Sequence, residues 1–202
     1  MKKTLLSVFF VALAAVSASA QEMFIKPMAG GTLSTITSSD NSKMKFGFVG
    51  GAEFGYRFSP AFCTTAGALV SMQGARTKDD NFVRNGSVTL TYLNIPILAN
   101  YYIAPGLAVK AGVQPGFRLS YKLKGEEFYD GEWHDFGENN GDNYLSDEGL
   151  KTFDFSIPLG ISYEFSDFVI DARYNLGLTK ISDDVKCKNS VIMLTVGYKI
   201  PL

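Results

Sequence analysis

Histidine is almost missing from this sequence: His134 stands alone, beside only two cysteines, Cys63 and Cys187. One His and two scattered Cys cannot assemble a zinc site, and no cofactor is expected. Serine hydrolysis needs a His base next to its nucleophile. The only such arrangement here would join His134 to Ser146 and a neighbouring carboxylate, and a solvated histidine is the simpler account of that position. Charge of one sign is also lacking. Nineteen basic residues stand against twenty acidic ones, so nothing suggests a nucleic-acid partner. No apolar run reaches the ~20 residues that a membrane-spanning helix needs. The longest, Leu5 to Val16, follows Lys2 and Lys3 and precedes Ala18-Ser19-Ala20, the pattern of a cleaved export signal. Residues 1–20 are therefore expected to be a signal peptide and 21–202, from Gln21, the mature domain.

What the chain does contain is alternation. From Leu107 to Leu123 every second residue is apolar or Pro115, namely Leu107, Val109, Ala111, Val113, Phe117, Leu119, Tyr121 and Leu123. Lys110, Gly112, Gln114, Arg118 and Lys122 fall between them. A strand sends alternate side chains to opposite faces, whereas a helical period would mix these sets. The same period recurs in Met23–Leu33, Phe46–Phe58, Phe62–Ala75, Val88–Ile103, Phe153–Phe165, Phe168–Leu178 and Ile192–Ile200. Those are eight strands. Short links at Ser59-Pro60-Ala61, Ala104-Pro105-Gly106 and Ser166-Asp167 alternate with long polar loops.

An even number of long amphipathic strands, with tight turns at one end and long loops at the other, predicts an all-β fold. Specifically, it predicts an eight-stranded antiparallel up-and-down transmembrane β-barrel in the bacterial outer membrane. Both termini would lie in the periplasm. Aromatics crowd the short-turn end (Tyr56, Phe58, Phe62, Tyr101, Tyr163, Phe165, Phe168), as at a membrane interface. A soluble barrel of lipocalin type would turn the apolar face inward. Against that, the polar face is rich in glycine (Gly47, Gly51, Gly55, Gly112, Gly116, Gly160), which suits a cramped lumen. It also carries both signs of charge. We expect an interior charge network of Glu53, Arg57, Lys110, Arg118, Asp154, Asp171 and Arg173, with Lys122 reaching in as well. On that basis Arg118→Leu should destabilise more than Leu119→Val. Four strand prolines, Pro27, Pro96, Pro115 and Pro158, each remove a ladder donor, so local bulges or a polar side chain are expected beside them.

The segment Tyr92-Leu93-Asn94-Ile95-Pro96-Ile97-Leu98-Ala99-Asn100-Tyr101-Tyr102, with Ile157-Pro158-Leu159-Gly160 and Tyr163-Glu164-Phe165, resembles the PorT-like outer-membrane β-barrel family, porin-like barrels of Bacteroidetes. The resemblance spans the mature chain and implies an outer-membrane barrel whose best-known member is linked to protein secretion. It carries no set of functional residues. The chain departs from the usual C-terminal aromatic, ending Tyr198-Lys199-Ile200-Pro201-Leu202, which leaves Tyr198 as the aromatic for insertion machinery to read.

Eight strands enclose room for side chains only, so a structural or interaction role is expected. A narrow channel and a lipid-modifying enzyme are the alternatives. The acidic stretch Gly125–Gly149, with Trp133, His134, Asp135 and Tyr144, is either a recognition loop or a hydrated one that repels anionic lipopolysaccharide. Its Asp spacing does not match the ~12-residue calcium loop. Expected partners are outer-membrane lipid and lipopolysaccharide, and proteins met through the long loops or periplasmic turns. A monomer is expected. Cys63 and Cys187 would sit at opposite rims about 25 Å apart, too far for a disulfide.

Overall fold

In the computed structural model the described residues are 22–37, 42–77, 83–129, 132–136, 151–180 and 188–202. They form β1 (Glu22–Thr37), β2 (Ser42–Ser59), β3 (Phe62–Thr77), β4 (Val83–Asn94), β5 (Ile97–Ala104), β6 (Leu107–Tyr129), β7 (Glu132–Phe136), β8 (Phe153–Phe165), β9 (Phe168–Lys180), β10 (Lys188–Tyr198) and β11 (Ile200–Pro201). β4 and β5 together make one stave of the barrel, and β10 and β11 make another. β7 pairs with β6 alone, as a hairpin. Eight antiparallel staves remain. β10 pairs back to β1 from Met28↔Gly197 to Thr37↔Lys188, which closes the sheet and leaves no edge. No helix among the described residues is long and apolar enough to cross a membrane.

The two faces are inverted relative to a soluble protein. Lys26, Glu53, Asp171 and Arg173 are at most 2% exposed, while Phe48 is 63% and Phe165 68% exposed. On β9 the outward set Phe168, Ile170, Tyr174, Leu176 and Leu178 is exposed over the whole stave. At ~3.4 Å per residue and a tilt of ~40°, Phe168 to Leu178 spans about 26 Å of membrane normal, matching the ~25 Å apolar band of outer-membrane barrels. Aromatic contacts ring the short-turn end, Tyr56–Phe58 at 4.6 Å and Phe168–Tyr198 at 5.2 Å. A second set, Phe46–Phe48 at 5.1 Å and Phe117–Phe153 at 5.6 Å, ties neighbouring rings toward the long-loop end.

Three expectations change. The fourth stave is not continuous over Val88–Ile103: it begins at Val83 and is interrupted at Ile95-Pro96. Secondly, Gly125–Tyr129 are not loop. They prolong β6 and pair with Glu132–Phe136 in a hairpin that sets Phe128 opposite Trp133 and Gly125 opposite Phe136, despite the acidic composition.

Thirdly, the prolines do not create bulges. Pro27, Pro96 and Pro158 each face a missing stretch of ladder, and pairing resumes in the same register on the far side (Ile25↔Ile200 then Met28↔Gly197; Asn94↔Gly116 then Ile97↔Val113; Ala111↔Leu159 then Gln114↔Ser156). Pro115 lies beside the same interruption as Pro96. The proline carbonyls stay in use: Gly67 N–H donates to Pro96 O at 3.0 Å and Ile95 N–H to Pro115 O at 2.8 Å. Register shifts fall elsewhere, for instance between Thr91 and Tyr92 against β6. Gly74 sits at φ 142°, where an added Cβ would stand 2.0 Å from the Val88 carbonyl oxygen, so only glycine fits that kink.

Candidate functional site

The lumen is filled in layers. At the short-turn end Arg57 Nη2 lies 3.2 Å from Glu164 Oε2 and donates to the Tyr102 hydroxyl at 3.0 Å. Its guanidinium also stacks over the Tyr102 ring at 4.5 Å. Tyr102 in turn donates to Glu164, and Lys199 Nζ donates to the same carboxylate at 2.7 Å.

One level in lies the most buried charge cluster. Arg173 Nη1 is 2.6 Å from Glu53 Oε1, and its Nε is 2.6 Å from Asp171 Oδ1. Lys26 Nζ is 2.8 Å from Glu53 Oε2 and 3.9 Å from Asp171, which Lys110 also pairs. The cations come from β1, β6 and β9 and the anions from β2 and β9, so the ion pairs cross the lumen and tie distant staves together. Charges taken from water into so dry a place persist only with such mutual pairing.

Above it Met28, Val49, Leu69 and Met193 form an apolar layer. Towards the long loops follows an amide-rich layer of Gln73, Gln114, Asp154, Ser156, Asn175 and Asn189 around a small gap.

Of the seven charged residues expected inside, four (Glu53, Lys110, Asp171, Arg173) meet in one cluster. Arg57 belongs to the separate short-turn layer. Asp154 is buried but accepts from Thr179 Oγ1 rather than from a cation. Arg118 is half-exposed near the long-loop rim, where its Nε donates to the Lys151 carbonyl at 3.5 Å, and Lys122 is exposed. Neither belongs to the buried cluster: both lie too many rungs outward, and β6 carries an extra residue opposite Thr91–Tyr92. The basis for a large Arg118→Leu effect is therefore gone.

Tyr102 and Lys199 are absent from the expected network, while Lys26 and Glu164 are expected only as charges of the inward face, with no place in the named cluster. Lys26 and Glu164 were visible as charges on an inward parity, but which charges share a level follows only from the stagger of the staves.

Trp133 is half-buried on the β6–β7 hairpin, opposite Phe128 in register. His134 pairs with Glu127 and Asp135 with Glu126 on the same hairpin. Tyr144, Ser146 and Cys187 lie outside the described residues. Cys63 is a free, buried thiol, 1% exposed. It is expected to resist a water-soluble thiol reagent in the folded barrel and to react once the chain is unfolded. Equal labelling rates in both states would place it wrongly.

A closed β-cylinder with its charges inside and a continuous apolar band outside is an integral β-barrel protein of the bacterial outer membrane. A family model described as the outer membrane protein beta-barrel domain matches residues 15–183, and the chain belongs to that family. Among solved structures, the chain is similar to Ail, the attachment invasion locus protein of Yersinia pestis, in complex with the heparin analogue sucrose octasulfate. The identity is 15%, the TM-score 0.50, and 90% of this chain and 100% of that one are covered. Neisserial surface protein A aligns at 10% identity and TM-score 0.46, covering 88% of this chain and 96% of that one. A comparison with curated protein sequences returned no match.

Proposed function

We propose that this protein is a non-catalytic interaction barrel, exported through its cleaved signal peptide at residues 1–20, whose sealed cylinder holds a recognition surface outside the cell. The observation that carries the proposal is the blade at the long-loop end. There β6 continues between β4 on one side (Arg84↔Glu126, Val83↔Glu127) and β7 on the other (Gly125↔Phe136 to Tyr129↔Glu132). A paired three-stranded edge is a stiffer display than a free loop, so it loses less entropy on binding. Trp133 offers an aromatic anchor of the kind that dominates interfaces, and the carboxylates of Gly125–Gly149 select a cationic protein partner. One chain closes the barrel through β10 and β1, which supports a monomer.

The family resemblance of Tyr92–Tyr102 makes a component of a secretion assembly the first partner to look for. Crosslinking in native outer membrane, followed by identification of the captured protein, tests the proposal. Trp133→Ala is expected to lower capture at least tenfold while the barrel keeps its heat-modifiable migration on gels. Undiminished capture by that variant would remove the hairpin from the interface.

A channel is disfavoured by the layers of Arg57, Lys26, Arg173 and Met193 across the bore. The purified monomer in a planar bilayer is expected to show no large, steady conductance. A stable open level of porin size would overturn the sealed-lumen reading.

A further inference from the structure

We propose that the upper lumen is a calcium site, built by the carboxylate of Asp154 and the side-chain oxygens of Gln114, Asn175 and Asn189.

These four residues line one gap, together with Gln73, Ser156 and Gly177. They come from β6, β8, β9 and β10. Their backbones are held at neighbouring rungs by Gln114↔Ser156, Gly116↔Asp154, Ser156↔Gly177 and Val191↔Asn175. Gly177 contributes no side chain to that row, and a Cβ there would meet the Asn189 backbone oxygen at 2.4 Å.

The polarity of the gap is set by where the amide nitrogens go. Gln114 Nε2 donates to Ser156 Oγ at 3.2 Å, and Asn189 Nδ2 donates to Gln73 Oε1. Gln73 Nε2 donates to Ser71 Oγ at 2.8 Å. With those nitrogens committed, Gln114 Oε1 and Asn189 Oδ1 have no hydrogen-bond partner, and neither amide atom of Asn175 has one. All three side chains are at least 97% buried, since Gln114 is 2% exposed and Asn175 and Asn189 3% each. A buried acceptor left unmatched costs about 1–3 kcal/mol, so three in one gap point to an occupant that takes lone pairs.

The carboxylate points the same way. Asp154 is 8% exposed and its Oδ1 accepts from Thr179 Oγ1. Among the described residues no Lys or Arg nitrogen forms an ion pair with it. The three cations of the lower cluster are engaged with Glu53 and Asp171 beyond the Met28 layer.

One carboxylate with neutral amide oxygens is a hard-cation donor set, and it suits calcium better than magnesium, which demands strict octahedral geometry and holds its waters. The gap does not admit a water-sized sphere. A calcium ion sits about 2.3–2.6 Å from its oxygens, closer than a hydrogen-bonded water. A single carboxylate implies weak binding, in the ~0.1–1 mM range of extracellular modules.

The test is titration of the full mature chain in detergent with calcium chloride, with magnesium chloride as comparison. One weak calcium site is expected, with at least tenfold preference over magnesium. Asp154→Asn should weaken it at least tenfold. Asn175→Asp, which adds a second carboxylate to the same gap, should tighten it at least tenfold, so the outcome does not depend on a loss. A variant with residues 137–150 replaced by a short Gly-Ser linker should keep the site, which separates it from the carboxylates of Glu138, Asp142, Asp147 and Glu148. No calcium binding by the linker variant, or an Asn175→Asp affinity unchanged from wild type, would overturn the assignment. Gel migration before and after heating verifies that each variant has folded.

Discussion

Arg173→Leu is expected to destabilise the barrel by about 3–5 kcal/mol, the cost of removing one partner from a buried ion pair. Arg173 holds two carboxylates at once, Glu53 and Asp171, and all three residues are at most 2% exposed. Without the guanidinium, Lys26 and Lys110 are left to neutralise both acids, and neither can reproduce the fork that spans them. Arg173→Lys should therefore recover part of the loss and no more. Arg118→Leu, at a half-exposed rim position, should cost only about 0–1 kcal/mol. Equilibrium urea unfolding from lipid vesicles reads all three. An Arg173→Leu variant within about 1 kcal/mol of wild type would show that the layer does not hold the staves together.

Leu159→Arg is expected to cost about 2–4 kcal/mol, whereas Phe165→Arg should cost about 0–1 kcal/mol. Both residues face outward on β8, at 49% and 68% exposure. They differ in depth. Leu159 pairs with Ala111 and Tyr174 in mid-stave, while Phe165 abuts the short turn opposite Phe168. A charge at the middle of the band must be dragged out of hydrocarbon, and one at the rim reaches headgroups and water. In a water-soluble cylinder the depth would be irrelevant, and both changes would stay within about 0.5 kcal/mol of neutral. The same urea titration in vesicles measures the pair. Equal, small losses would mean that the apolar band does not meet lipid.

The faces were legible in the sequence because their signal is local. A period of two from Phe153 to Phe165 gave that stave with the bounds it has, and Lys110, Glu53, Asp171 and Arg173 fell on the inward parity. What stayed hidden depends on contacts between staves. Tyr102 meets Glu164 only because β5 and β8, on either side of β6, bring those two rungs to one level. Arg118 shares the parity of Lys110 along β6, yet eight residues of strand carry it to the rim. Leu90, Tyr92 and Leu98 point inward although apolar, because they share the parity of Asn94 and Asn100 and the stave keeps its register across Pro96. The β6–β7 hairpin was masked by composition, since acidic residues are poor strand formers and Phe128, Tyr129, Trp133 and Phe136 keep no period of two. In the upper lumen, Asp154 was visible as a charge, but its neutral neighbours Gln114, Asn175 and Asn189 gave no sign that they would converge.

The interruptions at the prolines also bear on mechanics. β6 is unpaired at Gln114 towards Pro96 and at Gly112–Val113 towards Pro158, so the same stretch of one stave is unlaced on both flanks. Backbone hydrogen bonds are what make a barrel wall rigid around its circumference. Missing them at one height on consecutive staves leaves a compliant seam, along which the cross-section can flatten toward an oval without shearing the register above or below. The seam lies beside Gln114 and the upper-lumen gap. A wall that gives at that height would let the gap widen or tighten around its contents while the ion-paired layer beneath stays round.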